Sequence, residues 1–325
     1  MDQKSVIHRF FSALGKAWKP SLQTIRFLLS VMIPVSLAVL ALDKTGLLFI
    51  ASRILDPLMH ILGLPGESSL VFLSALLLNI YSAIAVIGTL QLSLREITIL
   101  AVMCLIAHNL IIESTVMRKT GSSATKMVFL RIFTALVAAF LLNYILPAGF
   151  GASKIPGVAA SFTPPPPLHL QDIPLILETW ALQMGTLIIK IVILVSLLMA
   201  VQKVMEEFGL LELLGKITSP FMRLLGLPPS TGFLWIVANI VGLAYGSAIM
   251  IERVETGKLS LSEGDLFNHH VGISHSLLED TLLFMAIGVP LFWAVVPRFI
   301  LAIIIVWLER GRRILFRKSF QVGTL

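Results

Sequence analysis

The chain has 325 residues, 57% of them hydrophobic and only 13% charged, with a formal net charge of +7. A soluble protein of this length cannot bury so much apolar surface, so the composition excludes the soluble classes and predicts an all-α polytopic membrane protein whose first partner is the lipid bilayer. The lone Cys104 excludes an internal disulfide and cysteine-rich zinc sites. The basic residues flank the apolar runs, so the positive charge points to membrane orientation and not to nucleic acid.

In chain order, residues 1–22 carry Lys4, Arg9, Lys16 and Lys19 and read as a cytoplasmic N-terminal segment. A span follows at about 23–42. Residues 45–63 form a mixed helix with Arg53, Asp56 and His60, ending in Leu62-Gly63-Leu64-Pro65. Charges at that density are unfavourable in hydrocarbon, so the helix is expected to lie flat at the interface, with a further true span as the alternative. The apolar run 68–90 is divided at Asn79-Ile80-Tyr81-Ser82. That division suggests a re-entrant hairpin tipped in mid-membrane, or else a plain span with small residues for helix packing. Residues 95–116 are a span bearing His108, Asn109 and Glu113. Another span at 127–147 starts near Arg131 and closes a unit at 23–147.

Residues 148–175 include Lys154 as their only lysine and the run Pro164-Pro165-Pro166-Pro167, which predicts a stiff linker on the outer side. The unit then repeats over 176–310. Gly46-Leu47-Leu48, Pro57, Met59 and Leu62-Gly63-Leu64-Pro65 return as Gly209-Leu210-Leu211, Pro220, Met222 and Leu225-Gly226-Leu227-Pro228, at an offset of 163. Leu92-Ser93-Leu94 returns as Leu259-Ser260-Leu261 at an offset of 167, which also brings His108 onto His275, Glu113 onto Asp280 and Arg131 onto Arg298. The second set comprises a span at 176–202, a mixed helix at 206–226 and a hairpin at 231–251 with centre residues Asn239, Gly242, Tyr245 and Ser247. It ends with a span at 264–287 and a last span at 294–310, followed by a basic cytoplasmic tail, 311–325. With both termini inside and the linker outside, each repeat crosses an odd number of times, so the repeats are inverted and a substrate site is expected at their interface.

The span at 264–287 contains Asn268, His269, His270, His275, Ser276, Glu279 and Asp280. Read as one helix, Asn268, Gly272, His275 and Glu279 share a face, as Asn109 and Glu113 do in the first copy. Ionisable groups within spans default to function. The structural alternative is a His275–Glu279 pair that merely locks helices together. Lys190, inside its span, is expected to snorkel.

The order of span, mixed helix ending in Leu-Gly-Leu-Pro, hairpin, and span with histidine and carboxylate resembles the Gate, or nucleoside-recognition, domain. That domain occurs in concentrative nucleoside transporters and in the membrane part of ferrous iron transporter B. The resemblance covers both halves and rests on element order and on the stretch Asn268 to Asp280. It implies a transporter-like fold, oligomeric, with hairpin tips near the site. No Gly-x-x-x-x-Gly-Lys-[Ser/Thr] loop is present, and the nucleoside transporters' hairpin pattern is not matched.

Three functions follow. The first is a permease for a nucleoside-like or other small polar or anionic solute, coupled to sodium or protons. In it His108, Asn109, Glu113, His275, Ser276, Glu279 and Asp280 serve substrate or coupling ion, with the hairpin centres Asn79, Tyr81, Ser82, Asn239, Tyr245 and Ser247. The second is a divalent-metal permease using His275, Glu279 and His270. The third is a non-transporting membrane partner subunit. No cofactor is expected, and the chain reads as no enzyme, since neither Gly-x-Ser-x-Gly nor His-Glu-x-x-His occurs. The expected setting is the cytoplasmic membrane of a bacterium or archaeon.

Overall fold

The computed structural model describes residues 3–151 and 170–322; the proline-run linker lies outside the described residues. These fold into two sets of seven α-helices. The first set is α1 (Gln3–Lys44), α2 (Leu47–Ile61), α3 (Ser68–Leu77), α4 (Ile80–Ile87), α5 (Leu94–Ile106), α6 (Leu110–Lys119) and α7 (Ala124–Ile145). The second is α8 (Ile173–Glu207), α9 (Leu210–Thr218), α10 (Gly232–Ile240), α11 (Leu243–Glu255), α12 (Leu261–Val271), α13 (Glu279–Ala286) and α14 (Leu291–Val322). There is no strand among the described residues. Four stretches are long and apolar enough to cross a bilayer: Leu94–Lys119, Ala124–Ile145, Ile173–Glu207 and Leu291–Leu315. The chain is an all-α polytopic membrane protein.

The repeat is visible in the backbone. Gly46 and Gly209, Gly63 and Gly226, and Gly121 and Gly288 take positive φ at matching positions. Ser93 with Glu96 and Ser260 with Glu263 form the same capping box at the starts of α5 and α12. Equivalent helices run antiparallel. Arg9 near the start of α1 donates to Glu207 at the end of α8 (3.1 Å), while Trp180 early in α8 donates to Ser36 late in α1 (3.2 Å). Lys126 at the start of α7 pairs with Glu309 far along α14 (3.0 Å). Antiparallel equivalents are the geometry of inverted repeats.

Three sequence expectations are corrected in extent. The segment before the first span is not separate, because α1 runs unbroken from Gln3 through Pro20 and Pro34. Much of the basic tail continues α14 as helix to Val322. The mixed helices are short. On α2, Leu47, Ile50, Ile54, Leu58 and Ile61 are exposed, and on α9 and the 3-10 turn after it so are Leu210, Leu213, Ile217, Phe221 and Leu224. These are the same five positions in both copies, spaced three and four apart as one helical stripe. Lys190 is exposed on α8.

α3 packs back on α4, and α10 on α11. Each pair is therefore a hairpin and not a plain span. The two tips are made differently. At the first, Asn79 is extended and its side-chain oxygen accepts from the Ser82 N–H. At the equivalent second position, Gly242 supplies φ of 99° with no side chain. At the centre of the bundle, α5 is fully buried from Thr98 to Ile106, as befits a helix apolar on every face.

Candidate functional site

The spans expected at 95–116 and 264–287 are not continuous helices. The first breaks between α5 and α6, at Ala107, His108 and Asn109; the second breaks between α12 and α13, over residues 272–278. Asn109 and Ser276, one repeat apart, both adopt φ of 47°. A broken backbone in a membrane must satisfy its freed amides within the protein, and here the hairpins do so. The Asn109 N–H donates to Ala75 O at the end of α3 (2.8 Å). The Ser276 and Leu278 N–H groups donate to Ala238 O (2.9 Å) and Asn239 O (3.0 Å) at the end of α10. Two arginines take the freed carbonyls. Arg131 donates to Ile106 O (3.0 Å) and His108 O (2.9 Å), and Arg298 donates to His275 O (2.9 Å) and to Thr281 Oγ1. Both arginines are fully buried, each the eighth residue of its helix, in the second turn of α7 and of α14. The sequence reading took them as span ends; their matched positions at an offset of 167 were the available sign of a shared internal role.

All four breaks, two hairpin tips and two interrupted spans, surround one cavity of about 330 Å³. His108, Asn109, Glu113, His275, Ser276, Glu279 and Asp280 all line it, with Asn79 and Tyr81 from the first tip and Gly242 from the second. Because the second span is broken, His275 and Glu279 do not share a helical face, and the i,i+4 pair is corrected. Their partners come from the other repeat. Tyr81 Oη donates to Glu279 Oε1 at 2.6 Å. His275 Nε2 lies 3.2 Å from His108 Nε2 and 3.3 Å from Glu113 Oε1. His108 Nε2 is 3.3 Å from Glu113 Oε1 and 3.5 Å from Asp280 Oδ2. Arg131 holds the other Glu113 oxygen at 2.7 Å. Equivalent histidines in contact place the pseudo-two-fold axis of the repeats between them.

The remaining predicted residues serve the scaffold. Ser82 is buried and donates to Asn79 Oδ1 from both N–H and Oγ. Asn239 is turned to Trp235 O at 2.8 Å. The side chains of Tyr245 and Ser247 lie outside the described residues. Asn268 donates to Met117 O, Thr120 Oγ1 and Ser122 Oγ, fixing the turn after α6. His269 meets Asp265 O (2.6 Å) and lies 3.8 Å from Glu309. His270 packs between Trp235 and Phe299 and does not line the cavity, so the trio His275, Glu279 and His270 is not assembled. Two trios lie within reach of one ion among the described residues: His108, His275 and Asp280 at the cavity, and Asp265, His269 and Glu309 apart from it.

Tyr81→Phe removes the phenolic donor to the part-buried Glu279 carboxylate. It is expected to lower stability by about 1–3 kcal/mol, read as a fall in the melting temperature of the detergent-purified protein. An unchanged melting temperature would contradict the Tyr81–Glu279 contact.

Comparison with known proteins places the chain. It is 34% identical over 271 residues to the uncharacterized membrane protein YvoD of Bacillus subtilis (strain 168), a match covering 83% of this chain and 85% of that protein. No family model matches the chain, and no solved structure does. The chain belongs to the family of that membrane protein.

Proposed function

We propose that this member of a family of integral membrane proteins is a permease. Its solute is small, either a nucleoside-like or other polar or anionic molecule or an ion, and it passes through the site at the repeat interface coupled to sodium or protons. The observation that carries the reading is the convergence of four backbone breaks, two per repeat, on one cavity lined by Glu113, Glu279, Asp280 and two histidines. Interrupted helices at a repeat interface are where secondary transporters bind substrate and coupling ion. A volume near 330 Å³ sits at the small end of ligand pockets. The hairpin beside a broken span supports the resemblance to the Gate domain. A homo-oligomer in a bacterial or archaeal inner membrane, with both termini cytoplasmic, accompanies that reading.

The test is uptake by proteoliposomes. Nucleosides, small organic anions and divalent metals are offered with and without an imposed sodium or proton gradient. Gradient-dependent accumulation of one class is expected. Asp280→Asn is expected to reduce it by about 10- to 100-fold, the equivalent of losing one charge-assisted contact of about 1.5–3 kcal/mol. Absence of uptake across the panel would turn the reading to a partner subunit.

A further inference from the structure

The two central histidines are oriented by their backbone surroundings. His108 Nδ1 lies 2.8 Å from Cys104 O, and His275 Nδ1 lies 2.7 Å from Val271 O. A carbonyl oxygen only accepts, so each Nδ1 carries the proton. In the neutral ring each Nε2 is then a bare lone pair. Those two lone pairs face each other at 3.2 Å. Glu113 Oε1 stands 3.3 Å from both, and Asp280 Oδ2, which accepts no hydrogen bond among the described residues, stands 3.5 Å from His108 Nε2. Asp280 is nine-tenths buried and faces the cavity. With both rings neutral and the carboxylates ionised, four electron-rich atoms converge with no donor among them, an arrangement that repels itself unless a metal ion or a proton sits between.

We infer that these atoms are the ligands of a divalent transition-metal ion, with His108 and Glu113 supplied by the first repeat and His275 and Asp280 by the second. Metal–ligand bonds of about 2.0–2.2 Å in a tetrahedral site put neighbouring ligand atoms about 3.3–3.6 Å apart; four of the ligand–ligand distances, 3.2, 3.3, 3.3 and 3.5 Å, are close to that, and the ligand atoms of His108, His275 and Asp280 lie within 4.8 Å of one another. Two imidazoles with two carboxylates suit zinc and its first-row neighbours over magnesium or calcium, which take oxygen alone. The outer contacts fit as well. Ligating histidines donate their other ring N–H to a carbonyl, and ligating carboxylates are themselves held, as Arg131 holds Glu113. The ion's role as cargo rests on the permease reading; its binding does not.

The experiment is zinc titration of the full-length protein in detergent by calorimetry, with cobalt as an optical probe. One equivalent per chain is expected. Bound cobalt should give the intense visible bands of four-coordinate nitrogen–oxygen ligation, a readout that needs no variant. His108→Gln and His275→Gln should each weaken zinc binding by at least about 100-fold, beyond the 10- to 100-fold typical of outer contacts. His269→Gln, in the separate Asp265, His269 and Glu309 group, should leave it unchanged. No binding, a six-coordinate cobalt spectrum, or loss of binding in His269→Gln alone overturns the assignment. Zinc bound but not taken up by proteoliposomes leaves the site standing and removes the ion's role as cargo; no uptake of any solute in the panel removes the permease reading as well. Uptake of an organic solute without zinc binding does the reverse.

Discussion

Arg131→Met is expected to lower the stability of the purified protein by about 3–5 kcal/mol, the range for removing one partner of a buried ion pair. The substitution keeps most of the side-chain volume, so the loss is electrostatic. It strands the buried Glu113 carboxylate, which Arg131 meets at 2.7 Å, and it takes the donors from Ile106 O and His108 O where the span is broken. Arg298→Met should be milder, because Arg298 serves His275 O and Thr281 but has no carboxylate at ion-pair distance among the described residues. Chemical unfolding in micelles measures both. If Arg298→Met proves the more damaging, the ion pair does not hold the first break.

The second large effect is steric and lies where the repeats meet away from the cavity. A Cβ on Gly121 would fall 2.1 Å from Leu261 O, in a backbone with φ of +108° that L-residues avoid. A Cβ on Gly264 would fall 2.2 Å from Thr120 O. The turn after α6 and the first turn of α12 thus touch backbone to backbone, and Asn268 fastens the same turn. Gly121→Ala combines overpacking of about 1–3 kcal/mol with about 1–2 kcal/mol of left-handed strain, so a loss of roughly 3 kcal/mol is expected. Gly185→Ala, on α8 with nothing within 4 Å of the added carbon, should be neutral or stabilising by up to about 1 kcal/mol. Equal melting temperatures for the two variants would refute the close approach.

The repeat, the membrane class and the hairpins were legible in the sequence because each leaves a local mark. Leu-Gly-Leu-Pro occurs twice, apolar runs have the right length, and Asn79 or Gly242 interrupts them. The breaks at His108 and His275 leave no comparable mark. Leu94 to Lys119 reads as one apolar helix, and no proline marks the interruption. What stabilises the broken form is distant: Ala75 O and Ala238 O, more than thirty residues back along the chain, receive the freed amides, and Arg131 and Arg298 arrive from the following helices. Seven of the candidate residues, His108, Asn109, Glu113, His275, Ser276, Glu279 and Asp280, do line one cavity, while the helical faces assigned to them assumed unbroken spans. His270 entered the metal set as a neighbour in sequence, yet it faces Trp235 and Phe299.

One contact across the cavity has no twin in the other half. The hydrogen bond from Asn109 to Ala75 has its twin from Ser276 to Ala238, and the guanidinium on His108 O has its twin on His275 O. The bond from Tyr81 to Glu279 has none, because the matching positions hold Ala244 and Ile112, which have no side-chain donor or acceptor. On the permease reading, a rocking motion that exchanges the postures of the two halves would break this bond and form no counterpart. At about 1–3 kcal/mol for a bond to a part-buried carboxylate, that is a bias of roughly five- to 150-fold toward the posture seen here. On the permease reading, the Tyr81–Glu279 bond is one latch on an otherwise balanced molecule, which rests on one side until something loosens Tyr81 from Glu279.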